Sequence, residues 1–249
     1  MDFFNVYEDA KRAESYAKLE FPGTYYLAYR DIPEILLKHT KGRKAIDFGC
    51  GTGRSTRFLK KCGFDAVGID ISEDMIKKAK ELDPEGNYRL VKDNDFNQFK
   101  KYDYDLILAV FTFDNIPDIE KRAKLLKGLS GLLNKEGRMV LVNSTPEIYI
   151  NEWTSLSTKD FPENRKAKGG QKVKIIVTDV EDKRPVEDIV WFNEDYLELF
   201  AKAELELVES HKPLAKGDEP YEWVNETKIA PWIIYVLKKV SPNYIQNQI

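Results

Sequence analysis

The stretch AIDFGCGTGRS, Ala45 to Ser55, limits the possible folds more than any other: an apolar run stops in three alternating glycines, and a polar helical stretch follows. Strand, glycine turn and helix make the opening unit of a sheet with crossover helices. The rhythm continues downstream. KAIDFG (44–49) reads as the first strand, STRFLKKCG as a helix stopped by Gly63, and DAVGID (65–70) as the second strand. Ser72 is a good N-cap for a helix reaching about Lys80, with Glu73 and Asp74 at its positive end. YRLVKD (88–93) and YDLILAVF (104–111) are further strands, residues 119–134 carry apolar positions at helical spacing before a turn at NKEG, and RMVLVN (138–143) is a fifth strand.

Strands alternating with helices imply an α/β protein with a parallel sheet wound on both faces. Ahead of it, residues 25–39 read as a helical approach interrupted or started at Pro33. Beyond residue 145 the rhythm breaks. A segment rich in Trp, Phe and Lys leads to KVKIIVTDV (172–180) and EDIVWF (187–192), which read as an antiparallel pair. A helix follows with Asn193 as its expected cap, then two closing strands, LELVES (205–210) and WIIYVLKK (232–239). The expected organisation is one domain over 1–249: an N-terminal helical cap (1–43), a ligand-binding core (44–144), a lid insertion (145–192), and a C-terminal helix and strand pair (193–249).

Composition excludes several classes. The 39 basic and 42 acidic residues leave a net charge of −3 with no long basic block, which disfavours a nucleic-acid partner. No apolar run approaches the ~18 residues of a membrane span, and the N-terminus lacks the pattern of a secretion signal. Two cysteines, Cys50 and Cys62, make no disulfide scaffold and have no metal-ligand spacing. A reduced, cytoplasmic, metal-free protein is the expectation; oligomeric state is open.

The glycine loop should lie at the carboxyl ends of the strands, where doubly wound sheets bind ligands. Gly49, Gly51 and Gly53 let a ligand approach the backbone, and Asp70 at the end of the second strand can accept from both hydroxyls of a ribose. Two details argue against a dinucleotide: the glycines follow G-x-G-x-G rather than G-x-G-x-x-G, and Asp47 precedes them, where a carboxylate repels a diphosphate but suits a cation. S-adenosylmethionine has a ribose, an adenine, a sulfonium and an ammonium, and no phosphate.

Residues Lys44 to Val142, with the terminal strand pair, resemble the class I S-adenosylmethionine-dependent methyltransferases. AIDFGCGTGRSTRFL is similar to that family's first motif and VGIDISEDMIKKAK to its second, with the acid at Asp70. The resemblance implies adenine contacts from Asp93 and Asn94, in LVKDNDFNQF, and cofactor contacts from Val110 and Phe111, in YDLILAVFTFDNIPD. It also implies a Rossmann-like sheet of seven strands, mostly parallel, with an antiparallel last strand inserted beside its predecessor, and S-adenosylhomocysteine as product. Ile71 and Met75 are placed to pack on the adenine, Cys50 to contribute backbone, and Tyr16 to close over the methionine end.

The expected reaction is methyl transfer to nitrogen or oxygen of a small molecule, driven mainly by proximity. An RNA methylase, a nicotinamide oxidoreductase and a non-catalytic S-adenosylmethionine-binding protein are the alternatives. The chain lacks an NPPY-like tetrapeptide after strand four and the Cys motif of cytosine methylases. Where many small-molecule enzymes of this family carry His, it has Asp114, a candidate for orienting or deprotonating the acceptor. Of two histidines, His39 falls at the wrong edge of the sheet, while His211, after strand six, is a second candidate base. Tyr25, Tyr26, Tyr29, Trp153, Phe161, Tyr221 and Trp223 offer aromatic surface for an acceptor.

Overall fold

The computed structural model describes residues 22–92 and 95–240. Two short helices, α1 (Thr24–Arg30) and α2 (Ile32–His39), lead into the sheet, and Pro33 sits in the first turn of α2, where its missing N–H costs nothing. Strand and helix then alternate: β1 (Lys44–Phe48), α3 (Arg54–Lys61), β2 (Asp65–Asp70), α4 (Glu73–Leu82), β3 (Asn87–Leu90), β4 (Tyr104–Val110), α5 (Ile119–Ser130) and β5 (Leu133–Ser144). An insertion follows, carrying β6 (Leu156–Ser157), β7 (Lys172–Val177) and β8 (Val186–Ile189), and the chain returns through α6 (Asn193–Lys202), β9 (Leu205–His211) and β10 (Trp232–Lys239).

Seven strands form the main sheet in the order β3-β2-β1-β4-β5-β10-β9. β1 to β5 run parallel, and β10 pairs antiparallel with both β5 and β9, so the last strand is inserted beside its predecessor as expected. Because successive side chains alternate faces, the central strands feed two cores. Ala45, Leu106, Leu108, Val140, Val142 and Ile234 pack toward α1, α2, α3 and the insertion. Their neighbours Ile46, Ile107, Met139, Leu141 and Ile233 pack toward Leu125, Leu126 and Leu129 of α5 and Leu199 and Phe200 of α6. Burial on both faces is what makes these strands near-continuous apolar runs.

Three local expectations need correction. The fifth strand starts at Leu133, so NKEG lies within it and α5 ends earlier, at Ser130; buried Leu133 is already paired with Tyr104. The cap of α6 is Phe192, whose N–H donates to the Asp195 carboxylate at 2.8 Å, while Asn193 instead accepts from the Tyr235 hydroxyl. The insertion holds three antiparallel strands rather than a pair, since the two-residue β6 joins β7.

Candidate active site

The turn between β1 and α3 faces a cavity of roughly 700 Å³ at the carboxyl ends of the parallel strands. Its glycines are not equivalent. A Cβ on Gly49 would fall 2.3 Å from the Thr112 side chain, and one on Gly53 would fall 2.6 Å from the Tyr88 hydroxyl oxygen, so both are needed for close packing. Gly51 lines the cavity, and a Cβ there would meet nothing within 4 Å. The backbone of the loop is therefore open to the cavity at this position. Thr112 Oγ1 donates to the Phe48 carbonyl at 2.9 Å, holding the end of β4 against the end of β1.

Asp70 closes the turn from β2. Its Oδ2 accepts the Gly51 N–H at 2.8 Å and its Oδ1 the Ser72 N–H at 2.9 Å. Burial pushes this carboxyl upward and those backbone donors work against the shift. Each oxygen keeps acceptor capacity for a ribose hydroxyl. Ser72 caps α4 by accepting the Met75 N–H at 3.3 Å. The cap sets Ile71, 57 % exposed, and buried Met75 along the cavity wall, an apolar strip beside Asp70 that suits a purine. Cys50, Val110 and Phe111 line the same cavity. The backbone of Phe111 is left-handed, φ 61°, which sets its ring 4.5 Å from that of Trp232. Gly51, Asp70, Ile71 and Met75 fit the ribose and adenine of S-adenosylmethionine.

Asp47 is not at the cavity surface. It is fully buried behind the loop, where Oδ2 accepts from the hydroxyls of Ser55 (2.7 Å) and Thr56 (2.6 Å) and Oδ1 has no partner. The acid expected to face a cation therefore pins the first turn of α3, and burial pushes its carboxyl up to about 6 despite the two hydroxyls. Tyr16, Asp93 and Asn94 lie outside the described residues.

The two candidate bases fare differently. Asp114 lines the cavity but is 3 % exposed and heavily engaged. It accepts from Asn143 Nδ2 (3.1 Å), the Ser144 N–H (3.0 Å), Ser144 Oγ (2.8 Å) and the Tyr196 hydroxyl (3.4 Å). Burial raises its carboxyl, while Asn143, the two Ser144 donors and the charge of Arg122 oppose the rise. Such a carboxylate clamps the end of β5 more readily than it abstracts a proton. His211 is a correction: Nε2 lies 2.7 Å from Asp31 Oδ2, in a network continued by Arg30 and Glu219, and the histidine is not among the residues lining the cavity.

Of the aromatic candidates, Tyr25 and Tyr29 line the cavity. Tyr221 packs at a tilt against both Tyr26 and Trp223, none of the three lining the cavity, and Trp153 is a core residue whose indole N–H donates to the Ile148 carbonyl. Phe161 does not reach the cavity either. Sequence reasoning missed Arg54, Tyr149 and Asp188. Arg54 lies over the rings of Tyr25 and Tyr29, and the Tyr149 hydroxyl donates to Asp188 Oδ2 at 3.2 Å, all five groups facing the cavity. In sequence Asp188 is one of two acids opening the expected strand EDIVWF, and the pairing of β8 with β7 sets it on the cavity wall.

Over residues 20–210 the chain matches the methyltransferase-domain family. It belongs to that family. Ninety-one residues are 34 % identical to a ubiquinone biosynthesis O-methyltransferase of Methylococcus capsulatus, 34 % of this chain and 38 % of that protein. A 117-residue stretch is 33 % identical to an uncharacterized methyltransferase of Bacillus cytotoxicus, 47 % of this chain and 53 % of that one. The alignments thus span about a third to a half of the curated relatives' length. Among solved structures, an S-adenosylmethionine-dependent methyltransferase from Clostridium acetobutylicum superposes with a TM-score of 0.60 at 16 % identity, covering 96 % of this chain and 98 % of that one. The CcbJ methyltransferase of Streptomyces caelestis gives 0.62 at 16 % identity, over 89 % and 100 %. At that identity the likeness is one of fold, and the fold is that of the class I S-adenosylmethionine-dependent methyltransferases.

Proposed function

We propose that this methyltransferase moves the methyl group of S-adenosylmethionine to an oxygen or nitrogen of a small molecule. The observation that carries the reading is the continuity of one cavity, from the glycine loop and Asp70 to a compartment walled by the insertion, with Ile148, Leu156, Ile175, Val177 and Val186. A cleft of this volume accommodates a cofactor-sized ligand and a modest companion. The near-balanced charge of −3 offers nothing to a polyanion.

When bound, S-adenosylmethionine supplies a methyl group on a cationic sulfur. Asp70 accepts from the ribose, Gly51 gives the chain room, Ile71 and Met75 cover the adenine, and Arg54 offers a cation to the amino-acid end. Ser144, held by Asp114, and the Tyr149–Asp188 pair hold the polar end of the acceptor. Orientation does most of the work, because holding a nucleophile in line with an activated methyl can replace a dedicated base. The O-methyltransferase from Methylococcus capsulatus is consistent with an oxygen acceptor here.

Calorimetric titration tests this. S-adenosylhomocysteine should bind with micromolar affinity and NAD should not. Asp70→Ala should weaken binding about tenfold or more, the cost of losing a charged acceptor from a partly desolvated site. Preference for NAD, or full affinity in the variant, would sink the reading.

A further inference from the structure

We infer that the methyl acceptor has an apolar body and one protic head, uncharged or cationic, and that acceptors bearing a carboxylate or phosphate are rejected. The inference rests on the methyl-transfer reading, since its compartment is the far half of the same cavity. It follows from the make-up of the wall. Tyr25, Phe111 and Trp232 form one aromatic face, with centroid separations of 5.9, 5.6 and 4.5 Å. The indole N–H of Trp232 is spent on the Thr24 carbonyl at 2.7 Å, so this ring has only carbon to offer a ligand. The insertion adds Leu156, Ile175, Val177 and Val186, all buried.

The charged side chains contributed from within this half have one sign, and the cation nearest its aromatic face is Arg54 of α3, which lies over the Tyr25 ring. Among the described residues lining the cavity, the insertion contributes a single charged side chain, Asp188, and Asp114 lies beside Ser144 at the end of β5. The cations lining the cavity, Arg54, Lys92 and Lys121, come from the start of α3, the loop after β3 and the first turn of α5. None comes from α1, the segment between β4 and α5, β5, β10 or the insertion, which together build the acceptor half. An anion entering here would lose water against hydrocarbon and meet two carboxylates. An uncharged ring escapes both penalties, and an ammonium gains from the carboxylates and the aromatic faces. A hydroxyl or amine also has protons to donate to Asp188 or Ser144, which a carboxylate head lacks.

The experiment is calorimetry on the full chain in two stages at pH 7.5. S-adenosylhomocysteine is titrated first. The saturated protein is then titrated with 4-ethylphenol, 4-ethylbenzylamine and 4-ethylbenzoate, which share a ring and an alkyl group and differ in the charge of the head. The phenol or the amine should bind at least tenfold more tightly than the benzoate. Asp188→Asn, which still accepts from Tyr149, should leave S-adenosylhomocysteine binding intact and shrink the amine's advantage severalfold. Equal or better binding of the benzoate overturns the inference, as does an unchanged ratio of amine to benzoate affinity in Asp188→Asn. Saturation with S-adenosylhomocysteine followed by no binding of any ring probe, or by binding of bulk tRNA instead, also overturns it while leaving the methyltransferase reading in place. Failure of S-adenosylhomocysteine itself to bind would remove the parent reading.

Discussion

Arg122 is the residue least expected from sequence. Placed on α5 as one basic position among several, it is fully buried, its three guanidinium nitrogens make no hydrogen bond of good geometry among the described residues, and it lies over the rings of Trp191 (4.5 Å), Tyr196 (4.8 Å) and Phe113 (5.8 Å). Its charge is felt by Asp114, which accepts from the hydroxyl of Tyr196, one of those three rings. Arg122→Met keeps the volume but strips the carboxylate of its cation, and should cost about 3 kcal/mol in chemical denaturation. Adding Asp114→Asn to that variant should cost less than it does in the wild type, with a coupling of about 1 kcal/mol or more. Strict additivity would assign the whole effect to ring stacking. Asp47 makes a pH prediction with a definite sign. An unfolded aspartate loses its proton near 4, whereas the buried one holds it to about 6. Between those values only the folded state keeps the proton, so stability from this group falls as pH rises through the window. Asp47→Asn retains an oxygen for the Ser55 and Thr56 hydroxyls and should flatten the slope of melting temperature against pH from 4 to 6.

At the scale of elements, the long loop between β9 and β10 is held by two carboxylates. Glu226, fully buried, accepts from Thr24 Oγ1 (2.7 Å) and from the backbone of Thr154 (2.8 Å), Val224 (2.9 Å) and Asn225 (3.0 Å), tying loop, α1 and insertion together. Glu219 accepts from the backbone of Lys216 and Gly217, from Arg30 and from the Trp223 indole. Burial would raise Glu219, but the backbone donors and Arg30 overcome it and hold the carboxyl down at about 2. A depressed acid stabilises above its unfolded value, near 4.3, and loses that contribution as pH falls toward 2. Trp223 fluorescence should therefore change over that acid range in the wild type, while in Glu219→Gln the change should shrink or vanish. These clamps also mark where sequence reading stops. The β-α rhythm and the glycine loop were legible because each is set by neighbours in the chain: periodicity, a cap at Ser72, glycines beside a strand end. The acceptor half was not, because its geometry comes from partners far apart. Asp114 is spoken for by residues 29, 30 and 82 positions away, and β6 is only two residues long. His211 was read by its position at the strand end, which says nothing of an acid 180 residues earlier.

At the scale of the whole molecule, the question is whether the insertion is an independent flap or part of the fold. Val173, Ile175, Val177, Val186 and Val190 of the insertion fall in the same apolar cluster as Leu106, Val140, Val142 and Ile234 of the central sheet. Glu226 bonds the insertion's Thr154 to α1, and Asn164 donates to the carbonyls of Tyr149 and Lys174 across the insertion's own base. A segment so joined shares its unfolding with the sheet. One thermal transition is expected, seen alike by far-ultraviolet dichroism, which follows the helices, and by near-ultraviolet dichroism, which follows the packed aromatic rings, Trp153 and Trp191 of the insertion among them. The cavity has walls in both parts, so a ligand that fills it should move the whole transition. S-adenosylhomocysteine at a free concentration one hundred times its dissociation constant should add about 2.7 kcal/mol of stability and raise both signals together by several degrees. Two transitions, with only one shifted by the ligand, would mean that the insertion opens on its own. The cradle of Gly51 and Asp70 would then be complete without it, and only the acceptor half would depend on its closure.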